Sequence, residues 1–172
     1  MDLETAPSTV HATCVALAEG GVLLRGGAGS GKSDLALRLL ESGDARLVAD
    51  DRVILDRDPD TEHVYASTPE PLRGLLEVRG IGVISLDTSR WVANAPLIAV
   101  IDMAPLPGAV PRTPSALTCD PVADANRYSP HKGTRVRRFV LWPFEVSAPA
   151  KVRLAAAIAT EAIVPLTEQD VS

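Results

Sequence analysis

Residues Gly26–Ser33 read Gly-Gly-Ala-Gly-Ser-Gly-Lys-Ser, the pattern G-x-x-x-x-G-K-[ST]. Gly26, Gly29, Ser30, Gly31, Lys32 and Ser33 are its candidate ligand-binding positions. Glycines let a backbone turn sharply enough that successive N–H groups face a chain of phosphates. A helix that starts at the end of such a loop adds partial positive charge. The lysine then reaches β- and γ-phosphates, and the serine hydroxyl holds Mg²⁺. The competing reading is a flexible Gly/Ser turn with an incidental lysine. The flanks oppose it: apolar Val22-Leu23-Leu24 precedes the loop, and the helical pattern Asp34–Leu40 comes after it. Strand, glycine loop, helix is the context that such a phosphate-binding loop requires.

Phosphate chemistry with Mg²⁺ also needs a carboxylate, usually at the end of an apolar strand. Three runs end in aspartate: Leu47 to Asp50-Asp51, Val83 to Asp87, and Ile98 to Asp102. A single aspartate at a strand end is most often a turn residue. The doubled Asp50-Asp51 is different, because adjacent carboxylates repel unless a cation or a shared proton relieves them. At a metal-phosphate site one carboxylate can orient the cation while the other takes a proton from an attacking hydroxyl.

These residues need a scaffold. Thr9 to Ala18 reads as a strand, Glu19-Gly20-Gly21 as a turn, and Val22 to Arg25 as the strand feeding the loop. The helix after the loop is expected from about Ser33 to Ser42, with Gly43 as its stop. Arg46 to Ala49 is a short strand. Val53 to Asp56 and His63 to Ser67 flank a hairpin loop, Arg57 to Glu62. Leu97 to Met103 is the most apolar strand and is expected to be central. Pro105 to Ala125 has no clear period and reads as a long surface loop; the stretch to Lys132 is expected to be more mobile than the sheet. Arg135 to Trp142 reads as a strand, with Arg135-Val136-Arg137-Arg138 on a solvated face. Ser147-Ala148-Pro149 starts a helix expected to reach about Ile163. Strands outnumber helices, so an α/β fold with a mixed sheet is expected.

The 172 residues are read as one domain, with 1–8 as a loose arm. Apolar residues make up 46% but aromatics only 3%, so the core must be built from Leu, Val, Ile and Ala. The net charge of −5 argues against a general nucleic-acid or membrane-surface binder. No apolar run approaches a membrane span, and the acidic N-terminus lacks a signal-peptide pattern, so a cytoplasmic chain is expected. Cys14 and Cys119 lack paired spacing and read as buried, reduced thiols. His63 and His131 have no ligand-spaced partners, so no zinc site is read. Trp91 and Trp142 read as core or oligomer contacts.

Several segments, in order, resemble the catalytic domain of bacterial HPr kinase/phosphorylase. They are Thr9-Val10-His11-Ala12, the glycine loop, Arg46 to Val53 and Leu76 to Ile84, the last two being the most specific. The resemblance is good over roughly 9–87 and weak beyond. It implies a fold like that of phosphoenolpyruvate carboxykinase. It implies an ATP- and Mg²⁺-dependent protein-serine kinase, or a kinase that is also a phosphorylase, acting on an HPr-like phosphocarrier protein in phosphotransferase-system signalling. Hexameric assembly is implied as well, and the short start looks like the alphaproteobacterial form. Residue by residue, the resemblance makes Asp50 the general base and Asp51 a support for metal or water. Ser33 and Glu77 become Mg²⁺ ligands, Arg79 neutralises transferring phosphate, and His11 tunes the aspartate pair. The family's basic C-terminal motif is not visible; Lys151 and Arg153 are the candidate replacements.

Two other readings compete with a protein kinase. An ATP-sensing binding module would need the loop but no base, so the set Lys32, Asp50, Glu77 and Arg79 weighs against it. A small-molecule kinase would need a lid, which only the 105–134 stretch offers.

Overall fold

The computed structural model describes residues 7–112, 118–125 and 135–162. Its main sheet begins with β1 (Ser8–Val10), β2 (Ala12–Ala16), β3 (Gly21–Arg25), β4 (Arg46–Ala49), β5 (Val53–Arg57) and β6 (Val64–Ser67). It ends with β9 (Asn94–Met103), β10 (Thr118–Cys119) and β11 (Val136–Leu141). Between these parts a separate hairpin pairs β7 (Leu75–Val78) with β8 (Gly82–Ser85). The helices are α1 (Lys32–Glu41), α2 (Pro121–Ala125) and α3 (Ala148–Ala159).

The expected mixed sheet is present, ordered β1-β5-β6-β9-β3-β2-β4, with β11 and β10 attached through β9. β9 is central, as expected. It runs parallel to β3 and β11 and antiparallel to β6. Alternation along the strands builds two cores, as a period of two requires. In β3, Val22 and Leu24 face one core, which α1 and α3 cover, while Leu23 faces the other. In β9 the alternation is interrupted. Leu97 belongs to the second core but Ala99 to the first, and the register against β3 shifts at the same place. An extra residue in a strand flips the side chains after it to the opposite face.

The β5–β6 hairpin, β4 and β11 form close to their expected bounds. α1 stops where expected, with Gly43 at φ 82 just past its end. Other expectations need correction. The single strand read over Thr9–Ala18 is two, because β1 pairs with β5 whereas β2 pairs with β3 and β4. The break falls on His11. Ser8, read as part of a loose arm, is the first residue of β1; residues 1–6 lie outside those described. α3 ends at Ala159, short of Ile163, which lies outside the described residues.

The stretch after Pro105 is more structured than its lack of period suggests. Cys119 is buried, β10 pairs with β11, and Asp120 caps α2 through the Val122 and Ala123 amides. Asp120 also takes both oxygens to Arg57 at 2.9 Å, and Asp124 meets Arg25 at 2.7 Å. Ion pairs, invisible to a hydropathy pattern, anchor this segment; 113–117 and 126–134 lie outside the described residues. Arg138 is likewise not on a solvated face. It donates to Asp102 at 2.6 Å, sharing that carboxylate with Arg25. No helix among the described residues is long and apolar enough to cross a membrane.

Candidate active site

The glycine loop joins β3 to α1. Gly29 and Gly31 adopt φ 75 and φ 91, conformations that a side chain would strain. Gly31 is the N-cap of α1, so no side chain caps the helix. The first-turn N–H groups therefore remain available, and the helix dipole favours an anion there. The buried hydroxyl of Ser30 has no hydrogen-bond partner among the described residues. Both facts fit a loop built for phosphate.

Lys32 is buried. Its ammonium donates to the carbonyls of Gly26 and Gly27 at 2.8 and 2.9 Å and lies 3.3 Å from His11 Nε2. Burial lowers its pKa below the usual lysine value, and the nearby Asp50 and Asp51 charges oppose that shift only in part.

Asp50 ends β4 and is buried at 8% exposure. One carboxylate oxygen accepts from the hydroxyls of Thr13 (2.7 Å) and Ser33 (2.9 Å). The other accepts from the Glu77 amide at 3.0 Å. Three elements, β2, α1 and β7, thus meet on one carboxylate. Asp51 behaves differently. Its φ of 65, with the Arg52 amide bonded to the Asp50 carbonyl at 2.8 Å, makes a tight γ-turn of the strained kind. This turn swings its largely exposed carboxylate to His11 Nδ1 at 2.9 Å.

Together these groups line a pocket of about 490 Å³, the size of a small-molecule site. His11, Ser30, Lys32, Ser33, Asp50, Asp51, Glu77 and Arg79 all border it, as do Gly29 and Gly31. Gly26 is not on its wall, although its carbonyl holds Lys32. The other strand-end aspartates serve structure: Asp87 caps a helical turn through the Ser89 amide, and Asp102 joins two arginines. Lys151 and Arg153 do not border the pocket; they pair with Glu145 and Asp44. Sequence reasoning missed Thr13 and Phe144. A lone threonine inside the apolar run Ala12–Ala16 was the available signal for the first. Phe144 comes from a distant loop and gave none.

Among the described residues, no three His, Cys, Asp or Glu side chains cluster tightly enough to hold a metal alone. That donor set still suits Mg²⁺, which commonly takes one or two carboxylates and completes its shell with substrate phosphates and water. Cys14 is fully buried, and burial pushes its thiol up to about 12, so it is inert packing.

The sequence profile of the HPr Serine kinase C-terminal domain matches residues 4–92. The chain belongs to that family. The match spans every carboxylate described above as meeting the loop. Among curated relatives, the HPr kinase/phosphorylase of Exiguobacterium sp. is 43% identical over 89 residues, which is 51% of this chain and 28% of that protein. The HPr kinase/phosphorylase of Lactobacillus delbrueckii subsp. bulgaricus is 46% identical over 80 residues, 46% of this chain and 24% of that protein. The matched stretch thus spans about a quarter of these relatives' length. The solved HPr(Ser) kinase/phosphatase from Coxiella burnetii superposes with a TM-score of 0.70, covering 90% of this chain and 97% of that one. At 23% identity this likeness establishes the fold alone.

Proposed function

We propose that the chain is an ATP-dependent protein-serine kinase that phosphorylates an HPr-like phosphocarrier protein. The observation that carries this reading is the convergence on Asp50. The loop serine that would hold Mg²⁺ and the carboxylate that would act as base share a hydrogen bond of 2.9 Å at the uncapped start of α1. Bound Mg²⁺ supplies positive charge to the triphosphate, and Ser33 and Glu77 are the residues that would hold it.

An ionised carboxylate offers about four lone-pair sites. Thr13, Ser33 and the Glu77 amide use three at Asp50, which leaves one to accept the proton of an attacking serine. In the reverse direction the same group protonates the leaving serine. Lys32 bonds β- and γ-phosphate oxygens in place of the loop carbonyls it now holds. Arg79 neutralises the transferring phosphoryl group. His11 positions Asp51, which orients water or metal at the rim. The chain acts as one catalytic domain of a cytoplasmic, homo-oligomeric enzyme, the family resemblance implying a hexamer.

The test is to incubate the protein with labelled ATP, Mg²⁺ and the HPr-like protein of the same organism, then map the label. Phosphoserine on that partner is the expected product. ATP binding without transfer to the partner would mean a nucleotide-sensing module.

A further inference from the structure

Phe144 leaves 54% of its surface exposed and borders the pocket. An exposed aromatic ring is costly in water, yet this one is held in place. The Arg38 guanidinium donates to the carbonyls on both sides of it, Pro143 and Glu145. The ring packs edge-on against Trp142, with centroids 6.1 Å apart at 72°. Its Cζ lies 2.9 Å from where a β-carbon on Gly31 would stand, so it rests directly on the phosphate-binding loop.

The helix geometry says which end of a nucleotide this ring would meet. Ser33, in the first turn of α1, and Gly31, its left-handed N-cap, face different groups. Ser33 faces Asp50 and, through it, Thr13 and Glu77. Gly31 faces Phe144. Arg38, seven residues on, returns to the Gly31 side after about two turns, which is why it can grip residues 143 and 145. A triphosphate seated across the start of α1 with its reacting end at Asp50 therefore directs its nucleoside end toward Phe144.

We propose that Phe144 is the platform on which the nucleotide base stacks. This rests on the kinase reading above for the direction of the triphosphate. Every base has a π-face, and an aromatic ring fixed by its own backbone clamp loses little freedom when a base settles on it.

The test uses the full chain with Mg²⁺ and two probes, ATP and inorganic tripolyphosphate, titrated by calorimetry. Wild type should bind ATP more tightly than tripolyphosphate. Phe144→Ala should weaken ATP about 5- to 150-fold, the range of one base–aromatic stack, and leave tripolyphosphate unchanged. Phe144→Trp should keep ATP affinity. Equal weakening of both probes by Phe144→Ala would mean that the ring only buttresses the loop, and the proposal falls. It falls also if neither probe is affected and sedimentation shows a changed oligomer instead, which would make Phe144 a subunit contact. Lys32→Ala separates the two readings. If wild-type tripolyphosphate binding is absent or indifferent to Lys32, the phosphate-loop reading fails and the stacking proposal with it. If that binding depends on Lys32 while Phe144→Ala leaves ATP unchanged, only the stacking proposal fails.

Discussion

Replacing Asp50 by asparagine should abolish phosphotransfer while sparing the fold, and the hydrogen bonds explain why. Asp50 accepts on one oxygen from two hydroxyls and on the other from the Glu77 amide. An asparagine placed with its oxygen toward the Glu77 amide keeps that bond. Its NH₂ group then faces Thr13 and Ser33, whose hydroxyls can accept as well as donate. All three contacts survive with reversed roles at two of them, so the stability loss should stay below about 1 kcal/mol. Alanine offers no such exchange. It strands the Glu77 amide and the fully buried Thr13 hydroxyl, at a cost of about 1–3 kcal/mol. For a chain of this size that is a fall in melting temperature of roughly 2–12 °C.

The rate should not distinguish the two variants. Asparagine cannot take a proton, so both variants should lose about 10²–10⁴ in transfer to an HPr-like protein. ATP affinity should hold or rise in Asp50→Asn, because one negative charge beside the triphosphate is gone. The assays are thermal unfolding, ATP titration and single-turnover transfer of labelled phosphate. Native-rate transfer by Asp50→Asn would refute the base assignment and shift it to Asp51. Equal melting temperatures for the asparagine and alanine variants would refute the hydrogen-bond reasoning.

Lys32→Ala should weaken ATP binding sharply, and unchanged affinity by titration would remove the phosphate loop from the site. Gly31→Ala should cost about 1–2 kcal/mol from its left-handed backbone alone, and more because the new methyl meets the Phe144 ring at 2.9 Å; denaturant unfolding measures it. Asp102 is half-buried; burial raises its pKa, but hydrogen bonds and charge from Arg25 and Arg138 outweigh that and hold it below the usual carboxylate range. A depressed folded pKa contributes stability above the ordinary carboxylate range that is lost as pH falls through the folded value. Asp102→Asn should therefore destabilise by about 1–3 kcal/mol at pH 7, and the gap to wild type should close as the solution is acidified below the ordinary range. Cys14, pushed up to about 12 by burial, should resist thiol reagents at pH 8 until the protein unfolds, as a time course with and without denaturant would reveal.

The glycine loop, its flanking strand and helix, and the Asp50-Asp51 pair were legible because each is written in contiguous residues. Backbone geometry there depends on glycine spacing and local apolar pattern, both of which are properties of the sequence itself. The central place of β9 was legible for a similar reason, since a strand buried on both faces must be apolar throughout. The contacts beyond reach depended on groups brought together from distant positions. Thr13, Asp50 and Glu77 are joined across as many as 37 residues of chain, and only the pairing of β4 with β2 and the seating of the β7 hairpin on α1 decide that they share one carboxylate. The arginines of β11 read as solvated because nothing local reveals that Asp102, on the adjacent parallel strand, waits for Arg138. The strain at Asp51 and the perch of Phe144 on Gly31 belong to the same class. Local sequence determined the loop and which residue types could do chemistry. Tertiary structure decided which of them touch, because distance between side chains is set by strand order and helix packing, quantities that no single segment carries.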